Sequence, residues 1–252
     1  MKQEIAKLDP VTIEILSNGL QSLVDEAFVA LMKSAYSTNI KERHDHSCAI
    51  VDRAGRLVAQ ASNSIPVHIA SVLGQMRAIF KKFPLDEISE GDIFAANDPH
   101  EGGGTHLPDV SIAMPVFADG QLLGFVCNIA HHADIGGMSP GSMAGGMKDI
   151  YQEGLRIPVV KLFRKGKLDQ DIFDILLLNV RVREERRGDY NAQFSALHLA
   201  ARRLFEMINK YFKLGKNILF PINRSITGVG IVKTLKIIKK IHPKLKLKFF
   251  KN

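Results

Sequence analysis

Apolar residues in the first part of the chain follow a helical spacing. Between residue 10 and about residue 36 they recur every three or four positions, which predicts one long helix with a buried face. Asp9 precedes it as a candidate N-cap, and Pro10 suits the first helical position. The same spacing predicts three further helices, over residues 66–83, 169–181 and 184–211. In the helix at 169–181 the residues expected to face the core are Ile172, Ile175, Leu176 and Asn179.

Shorter apolar runs predict β-strands. Residues 48–52 and 56–60 flank a turn at 53–55 and predict a first hairpin, and residues 93–96 predict a short buried strand. Residues 110–117 and 122–130 flank Ala118-Asp119-Gly120 and predict a second hairpin. Residues 155–163 predict another strand. Because strands and helices do not alternate strictly, the expected fold class is α+β, with a long N-terminal helix, antiparallel hairpins and C-terminal helices.

The second hairpin brings two groups of polar residues together. If Phe117 pairs with Gln121, antiparallel counting places Leu107 opposite His131. The side chains that then meet at the base of the hairpin are His106 and Asp109 from one strand and His131 and His132 from the other. Imidazoles and a carboxylate on adjacent strand ends suit a divalent-metal site, with Zn, Mn or Fe as the ions that such mixed ligation favours. The alternative is a hydrogen-bonded polar cluster in which His132 or His100 is exposed.

Further candidate residues lie outside this hairpin. Asp45, within His44-Asp45-His46, offers a fourth metal ligand from a different element, while His44 and His46 are expected at the surface. For His68 two interpretations stay open, lining of the pocket or packing in the core. Residues 135–147 form a loop of Gly, Ser and Met, a composition typical of lids and binding loops.

Charge is distributed unevenly along the chain. The net charge of +8 arises in residues 213–252, which hold 11 basic and no acidic residues, whereas residues 1–212 hold 23 basic and 26 acidic ones. The overall charge is therefore no argument for nucleic-acid binding. The tail is interpreted either as a membrane-surface or nucleic-acid arm or, the favoured alternative, as sequence outside the fold. We expect a domain over residues 1–212 and a separate basic tail over 213–252.

Several function classes lack their sequence signals. No apolar run is long enough to span a bilayer, the N-terminus lacks a secretory signal, and two cysteines are too few for a disulfide framework, so the cytoplasm is expected. The chain has no Walker-type phosphate loop, no G-x-G-x-x-G and no G-x-S-x-G motif. A nucleotide, if one is used, is expected on another chain.

Several long motifs, in one order, resemble those of the hydantoinase B/oxoprolinase family. The family includes N-methylhydantoinase B-type subunits, the C-terminal part of 5-oxoprolinases and the α subunits of acetone carboxylase-like enzymes. The motifs are DPVTIEILSNGL, SAYSTNIKERHDHSCAIVDRAGRLVAQ, IPVHIAS, NDPHEGGGTHLPDV, HHADIGG, EGLRIP and the NVR…EER run. The resemblance extends from residue 9 to about residue 211. Family members continue well beyond that point, so a truncated or frameshifted gene product is expected.

The resemblance implies a subunit that works with an ATP-binding partner of the hydantoinase A type in a hetero-oligomer. It also implies a divalent metal at His106, Asp109 and His131, with Asp45 as a weaker fourth candidate whose histidine neighbours depart from the family pattern. The expected activity is ATP-dependent opening of a cyclic amide, with His132 transferring a proton and Asp134 orienting it. The alternatives are an ATP-dependent ketone carboxylase subunit and an inactive truncated remnant.

Overall fold

The computed structural model describes residues 10–215, which form five α-helices, two short 3₁₀ helices and seven strands. The helices are α1 (Pro10–Ser34), α2 (Thr38–Lys41), α3 (Pro66–Lys82), α4 (Gln170–Leu178) and α5 (Arg183–Gly215). The strands are β1 (His46–Asp52), β2 (Leu57–Gln60), β3 (Ile93–Ala96), β4 (Asp109–Ala118), β5 (Gln121–His131), β6 (Val160–Arg164) and β7 (Lys167–Leu168). Within residues 10–215 no helix is both long and apolar enough to cross a membrane.

All seven strands join one sheet in the order β2-β1-β5-β4-β3-β6-β7, and every neighbouring pair is antiparallel. Helices cover both faces, which explains why β1, β3 and β4 are almost wholly buried. Even-numbered residues of the central strands, such as Val110 and Val126, pack with α1 and α5. Odd-numbered ones, such as Ala113 and Phe125, pack with α3. This arrangement confirms the α+β class with a long first helix and C-terminal helices.

The β4–β5 hairpin has a tighter turn than the sequence pattern suggests. Ala118 pairs with Gln121, so the loop is the two-residue Asp119-Gly120, and both residues have positive φ, as a type I′ turn demands. The register skips Leu123, and beyond it Asp109 rather than Leu107 lies opposite His131. The assumed pairing was wrong by two positions. Because side chains alternate with a period of two, Asp109 and His131 still share one face.

Two other sequence-based expectations need correction. The strand predicted over residues 155–163 begins at Val160, because the preceding backbone is engaged by Asn97, whose side chain donates to the carbonyl oxygen of Leu155 and accepts from the N–H of Ile157. In α4 the buried residues are Phe173, Leu176 and Leu177, while Ile175 is exposed. The cap expected at Asp9 and the tail beyond residue 215 lie outside the described residues.

The buried carboxylate of Asp189 ties α5 to the loop that follows α1. The carboxylate of Asp189 accepts from the backbone N–H groups of Tyr36 and Ser37, from the Ser37 hydroxyl and from the guanidinium of Arg186. Ser37 Oγ in turn accepts from the N–H of Ala133, just after β5. Helix, loop and strand end are thereby held together beneath one end of the sheet.

Candidate metal centre

Asp109 begins β4 and His131 ends β5, so the two residues face each other at one end of the sheet. Asp109 Oδ1 lies 3.2 Å from Nδ1 of His131 and 3.0 Å from Nε2 of His106. His106 comes from the loop before β4, and its ring centroid is 4.9 Å from that of His131. Two imidazole nitrogens therefore converge on one carboxylate oxygen.

Asp45, directly before β1, brings a second carboxylate to this cluster. Its Oδ2 is 3.6 Å from Nδ1 of His131, and its carbonyl oxygen accepts from the His131 N–H at 3.0 Å. The placement follows from the pairing of β1 with β5, in which His46 lies opposite Ala130. Asp45 and His131 are thus one step beyond the paired residues, on the face that α3 covers.

His68, in the first turn of α3, completes the cluster from above. Its Nε2 lies 3.4 Å from Asp45 Oδ1 and 3.6 Å from Asp109 Oδ2, and its Nδ1 lies 3.1 Å from the hydroxyl of Ser47. The His68 side chain is only 3% exposed. Of the two interpretations left open by the sequence, the structure supports the one in which His68 lines the site.

The loop that carries His106 is fixed by close backbone packing and side-chain bonds. Gly103 has a φ of 79° and lies against Gly74 of α3, where a Cβ on Gly103 would come within 2.2 Å of backbone. Asn97 donates to the carbonyl oxygen of Leu107, and Thr105 Oγ1 donates to Asp109 Oδ2 at 2.6 Å. These contacts hold His106 beside Asp109 although the loop has no regular secondary structure.

Glu153 lies behind His106 on the side away from Asp109. Its Oε1 is 3.7 Å from Nδ1 of His106 and accepts from the N–H of Leu107 at 3.4 Å. A histidine with one nitrogen directed at a ligand position and the other at a carboxylate has the arrangement that orients metal-bound imidazoles.

The electrostatics of the cluster favour an ionised carboxylate. Burial tends to raise the pKa of Asp109, but hydrogen bonds from His106, His131 and His68 outweigh it and hold that pKa far below its usual range. For His106, burial tends to lower the pKa, and the hydrogen bond to Asp109 together with the charges of Asp109 and Glu153 raises it overall. The site therefore supplies a carboxylate that stays ionised, which is the form that binds a cation.

The donor set suits a divalent metal. The possible ligand atoms of His106, Asp109 and His131 all lie within 4.8 Å of one another, and so do those of Asp45, His68 and Asp109. Imidazole and carboxylate ligands together fit Zn, Mn or Fe. The His106 and Asp45 side chains are each about one-third exposed, so the cluster is open to small molecules on that side.

His132 and Asp134, expected to act in proton transfer, lie apart from this cluster. Consecutive strand residues point to opposite faces, so His132 lies on the α5 side, fully buried, with Nε2 2.9 Å from Gln193 Oε1. Burial lowers the pKa of His132. Asp134 accepts from the N–H groups of Gly136 and Gly141 and from Arg181. In this structure the sheet separates His132 from the candidate ligands, and the bonds of Asp134 anchor a loop.

The remaining histidines of the predicted clusters differ in exposure. His44 and His100 are exposed, as expected for His44. The expectation that His46 is exposed was wrong: its ring is fully buried, stacks on Phe28 and donates from Nε2 to the Phe28 carbonyl oxygen. As an even-numbered residue of β1 it points to the α1 face, away from Asp45. Burial lowers the pKa of His46 to about 4.

Sequence reasoning missed Glu153 as a neighbour of the site. Glu153 lies within a motif of the resemblance, EGLRIP, but nothing in that stretch indicates a contact with a residue 47 positions earlier. For His68, by contrast, the sequence did contain an indication that the side chain has a polar partner. His68 follows Pro66 in the first turn of a predicted helix, where a polar residue on a buried face needs a partner.

Fold and site together define the class of this molecule: an α+β protein whose central antiparallel hairpin carries a His/Asp cluster suited to a metal ion. The family is shown by sequence, because the hydantoinase B/oxoprolinase family model matches residues 9–214. The chain belongs to the hydantoinase B/oxoprolinase family.

Individual relatives agree with this assignment. Over 204 residues the chain is 35% identical to the caprolactamase subunit beta of Pseudomonas jessenii, a match that covers 81% of this chain and 35% of the relative. The crystal structure of the ATP-dependent caprolactamase from Pseudomonas jessenii is similar with a TM-score of 0.74 at 30% identity, over 94% of this chain and 37% of that one. A nucleotide-free acetone carboxylase structure shares the fold, with a TM-score of 0.73 at 22% identity, over 83% of this chain and 28% of that one. The chain thus spans about a third of the length of these relatives.

Proposed function

We propose that this chain supplies the metal-binding region of an ATP-dependent cyclic-amide hydrolase. The observation that carries the proposal is the convergence of His106 and His131 on one oxygen of Asp109, with Asp45 beside them. Family membership and the likeness to a caprolactamase subunit support the reaction class. We infer that residues 1–212 form the functional part and that the basic tail over 213–252 does not belong to it.

The ligands in this proposal are His106, Asp109 and His131, with Asp45 as the fourth. A divalent ion held there would supply Lewis-acid polarisation of a substrate carbonyl. Asp109 stays ionised because hydrogen bonds outweigh its burial, and Glu153 holds the ring of His106 in place. The partly exposed edges of His106 and Asp45 leave a side from which a small cyclic amide approaches.

Activation of the amide is assigned to a second protein. Lactams and hydantoins are poor electrophiles, and transfer of a phosphoryl group to the carbonyl oxygen creates a good leaving group. The sequence has no phosphate-binding loop motif, so we propose that ATP binds to a hydantoinase A-type partner in a hetero-oligomer. The Pseudomonas jessenii relative is a caprolactamase subunit beta, and the caprolactamase in the similar crystal structure is ATP-dependent.

A ketone carboxylase and an inactive remnant are the competing functions. The likeness to acetone carboxylase, at 22% identity, supports the shared fold alone. The site does not separate a hydrolase from a carboxylase, since both reactions draw on a polarised carbonyl.

The test is reconstitution of the full chain with a purified hydantoinase A-type partner. We expect one divalent ion per chain by elemental analysis, and ATP-dependent opening of caprolactam, hydantoin or 5-oxoproline by product chromatography. His106→Ala should remove both the ion and the turnover. His100→Ala, an exposed histidine of the same loop, is the matched control and should change neither.

Three outcomes contradict parts of this proposal. Full metal occupancy in His106→Ala would refute the ligand role of that residue. Incorporation of labelled bicarbonate carbon into the product of a ketone would identify a carboxylase. Metal binding without turnover of any cyclic amide or ketone would favour the remnant.

A further inference from the structure

We propose that His68 is a positioning residue for both candidate carboxylate ligands, Asp45 and Asp109. In this proposal Nε2 of His68 carries the proton that faces the two carboxylates, and the contact of Ser47 with Nδ1 selects that tautomer. The inference rests on the proposed function, because those carboxylates matter only as ligands. His68 is well placed for this role, since its Nε2 lies between an oxygen of each carboxylate, at 3.4 and 3.6 Å.

The hydroxyl of Ser47 determines which nitrogen of His68 carries the proton. Ser47 Oγ accepts from the N–H of Ile65 at 2.8 Å. The hydroxyl proton of Ser47 is therefore donated to an acceptor other than Ile65. Among the described contacts, the acceptor within reach is Nδ1 of His68, at 3.1 Å. A neutral imidazole that accepts at Nδ1 has its proton on Nε2, where the two carboxylates lie.

A positioning role accounts for the contacts of Asp109 better than a second metal ion does. Asp45, His68 and Asp109 are close enough to bind an ion of their own. However, Asp109 Oδ2 already accepts a hydrogen bond of 2.6 Å from Thr105, and Nε2 of His68 lies 3.6 Å from the same oxygen. Oδ2 is thus held by donors, while Oδ1 faces His106 and His131.

The arrangement links two carboxylates that come from strands which are not neighbours in the sheet. Asp45 precedes β1, Asp109 begins β4, and the two strands are separated by β5 in the sheet. His68 comes from α3, on the face above all three, and its side chain is almost completely buried. A donor shared between two ligands restricts both side chains before an ion arrives, which lowers the entropy cost of binding.

The first experiment measures metal binding by the full chain. Competition with a chromophoric chelator should show one Zn²⁺ per chain and, for His68→Ala, an affinity lower by about 10- to 100-fold, the range for partners that orient ligands. Saturation should still reach one ion per chain. Ser71→Ala, a buried serine one turn further along α3, is the matched control and should bind normally. Unchanged affinity in His68→Ala, or a fall from two ions to one, would overturn the proposal.

The second experiment needs no metal and no activity. In ¹⁵N-histidine-labelled chain without metal, long-range ¹H–¹⁵N spectra should show His68 protonated at Nε2 and unprotonated at Nδ1, with assignment by loss of the signal in His68→Gln. In Ser47→Ala this preference should weaken, together with a smaller loss of Zn²⁺ affinity. Protonation at Nδ1 would refute the positioning role. Absence of Zn²⁺ binding with the expected tautomer would instead refute the proposed function.

Discussion

Asp109 and His131 are paired directly across β4 and β5, and 3.2 Å separates Oδ1 of the first from Nδ1 of the second. Both are odd-numbered and point to the α3 face, as do Ser47 on the neighbouring β1 and Asp45 directly before that strand. If the pairing of β4 with β5 shifted by one residue, one of the two residues Asp109 and His131 would point to the α5 face instead. The pairing of the strands, held by the tight Asp119-Gly120 turn, is therefore the feature on which the candidate metal centre depends.

Glu153→Gln should weaken metal binding without abolishing it. The Glu153 carboxylate lies 3.7 Å from Nδ1 of His106, and loss of such an outer partner costs about 10- to 100-fold in affinity. Isothermal titration with Zn²⁺ measures the effect. Glu101→Gln, an exposed position of the His106 loop, serves as control, and equal affinities for the two variants would exclude an orienting role for Glu153.

Gly103→Ala should disturb both stability and metal binding. The added Cβ would meet the backbone of Gly74 at 2.2 Å, so the loop carrying His106 must move away from α3. Overpacking of this kind costs about 1–3 kcal/mol. Gly120→Ala has a similarly positive φ but free space around the Cβ, and should cost about 1–2 kcal/mol and leave metal affinity intact. Urea unfolding and Zn²⁺ titration of both variants would test this, and normal Zn²⁺ affinity in Gly103→Ala would contradict it.

Asp189→Asn should destabilise the fold by about 3–5 kcal/mol, because it leaves the buried guanidinium of Arg186 with the half-exposed Glu185 as its remaining anionic partner among the described residues. The measurement is the free energy of unfolding in urea at neutral pH. Arg187→Gln breaks a comparable pair with Glu184 on the exposed side of α5 and should cost less than about 1 kcal/mol. Equal losses for the two variants would show that burial does not matter here.

The carboxylate of Asp189 should also make the free energy of unfolding depend on pH in the acidic range. Burial tends to raise the pKa of Asp189, but the charge of His132 and hydrogen bonds from Ser37 and Tyr36 lower it below the usual 3.8. In the unfolded chain Asp189 takes up its proton at higher pH than in the folded chain. Its contribution is therefore present above about 3.8 and lost as pH falls through the lower folded value. Unfolding free energies of wild type and Asp189→Asn should converge over that range, and a constant difference would contradict the assignment.

Asp134→Asn distinguishes a structural role from a catalytic one. The carboxylate of Asp134 binds Gly136, Gly141 and Arg181, and Arg181 also donates to carbonyl oxygens of the loop. We expect faster proteolysis within residues 135–147, with Zn²⁺ affinity within about twofold of wild type because Asp134 contacts none of the candidate ligands. Unaltered proteolysis combined with loss of turnover in the reconstituted complex would favour the catalytic role.

The β4–β5 hairpin shows which structural features can be predicted from the local sequence pattern. Alternation and the Asp-Gly turn identified β4 and β5, and the period of two preserved the shared face even though the assumed register was off by two positions. Consecutive residues of an extended chain point to opposite faces of the sheet. This rule separates His131 from His132 and places His46 on the α1 face. That rule was available from the sequence, but its consequence for His132 depended on knowing that helices cover both faces of the sheet.

The sequence by itself determined the long helices, the two hairpins, the α+β class and the shared face of Asp109 and His131, because periodic burial and short turns are local properties. The position of His106 beside them depends also on the packing of its loop against α3. Only the tertiary structure decided that His68 and Glu153 border the cluster, that His46 and His132 are buried away from it, and that Asp134 anchors a loop. Those outcomes depend on how α3, α5 and the loop after β5 pack against the sheet. Such contacts join residues far apart in the chain and are set by the shapes of whole elements rather than by any local pattern.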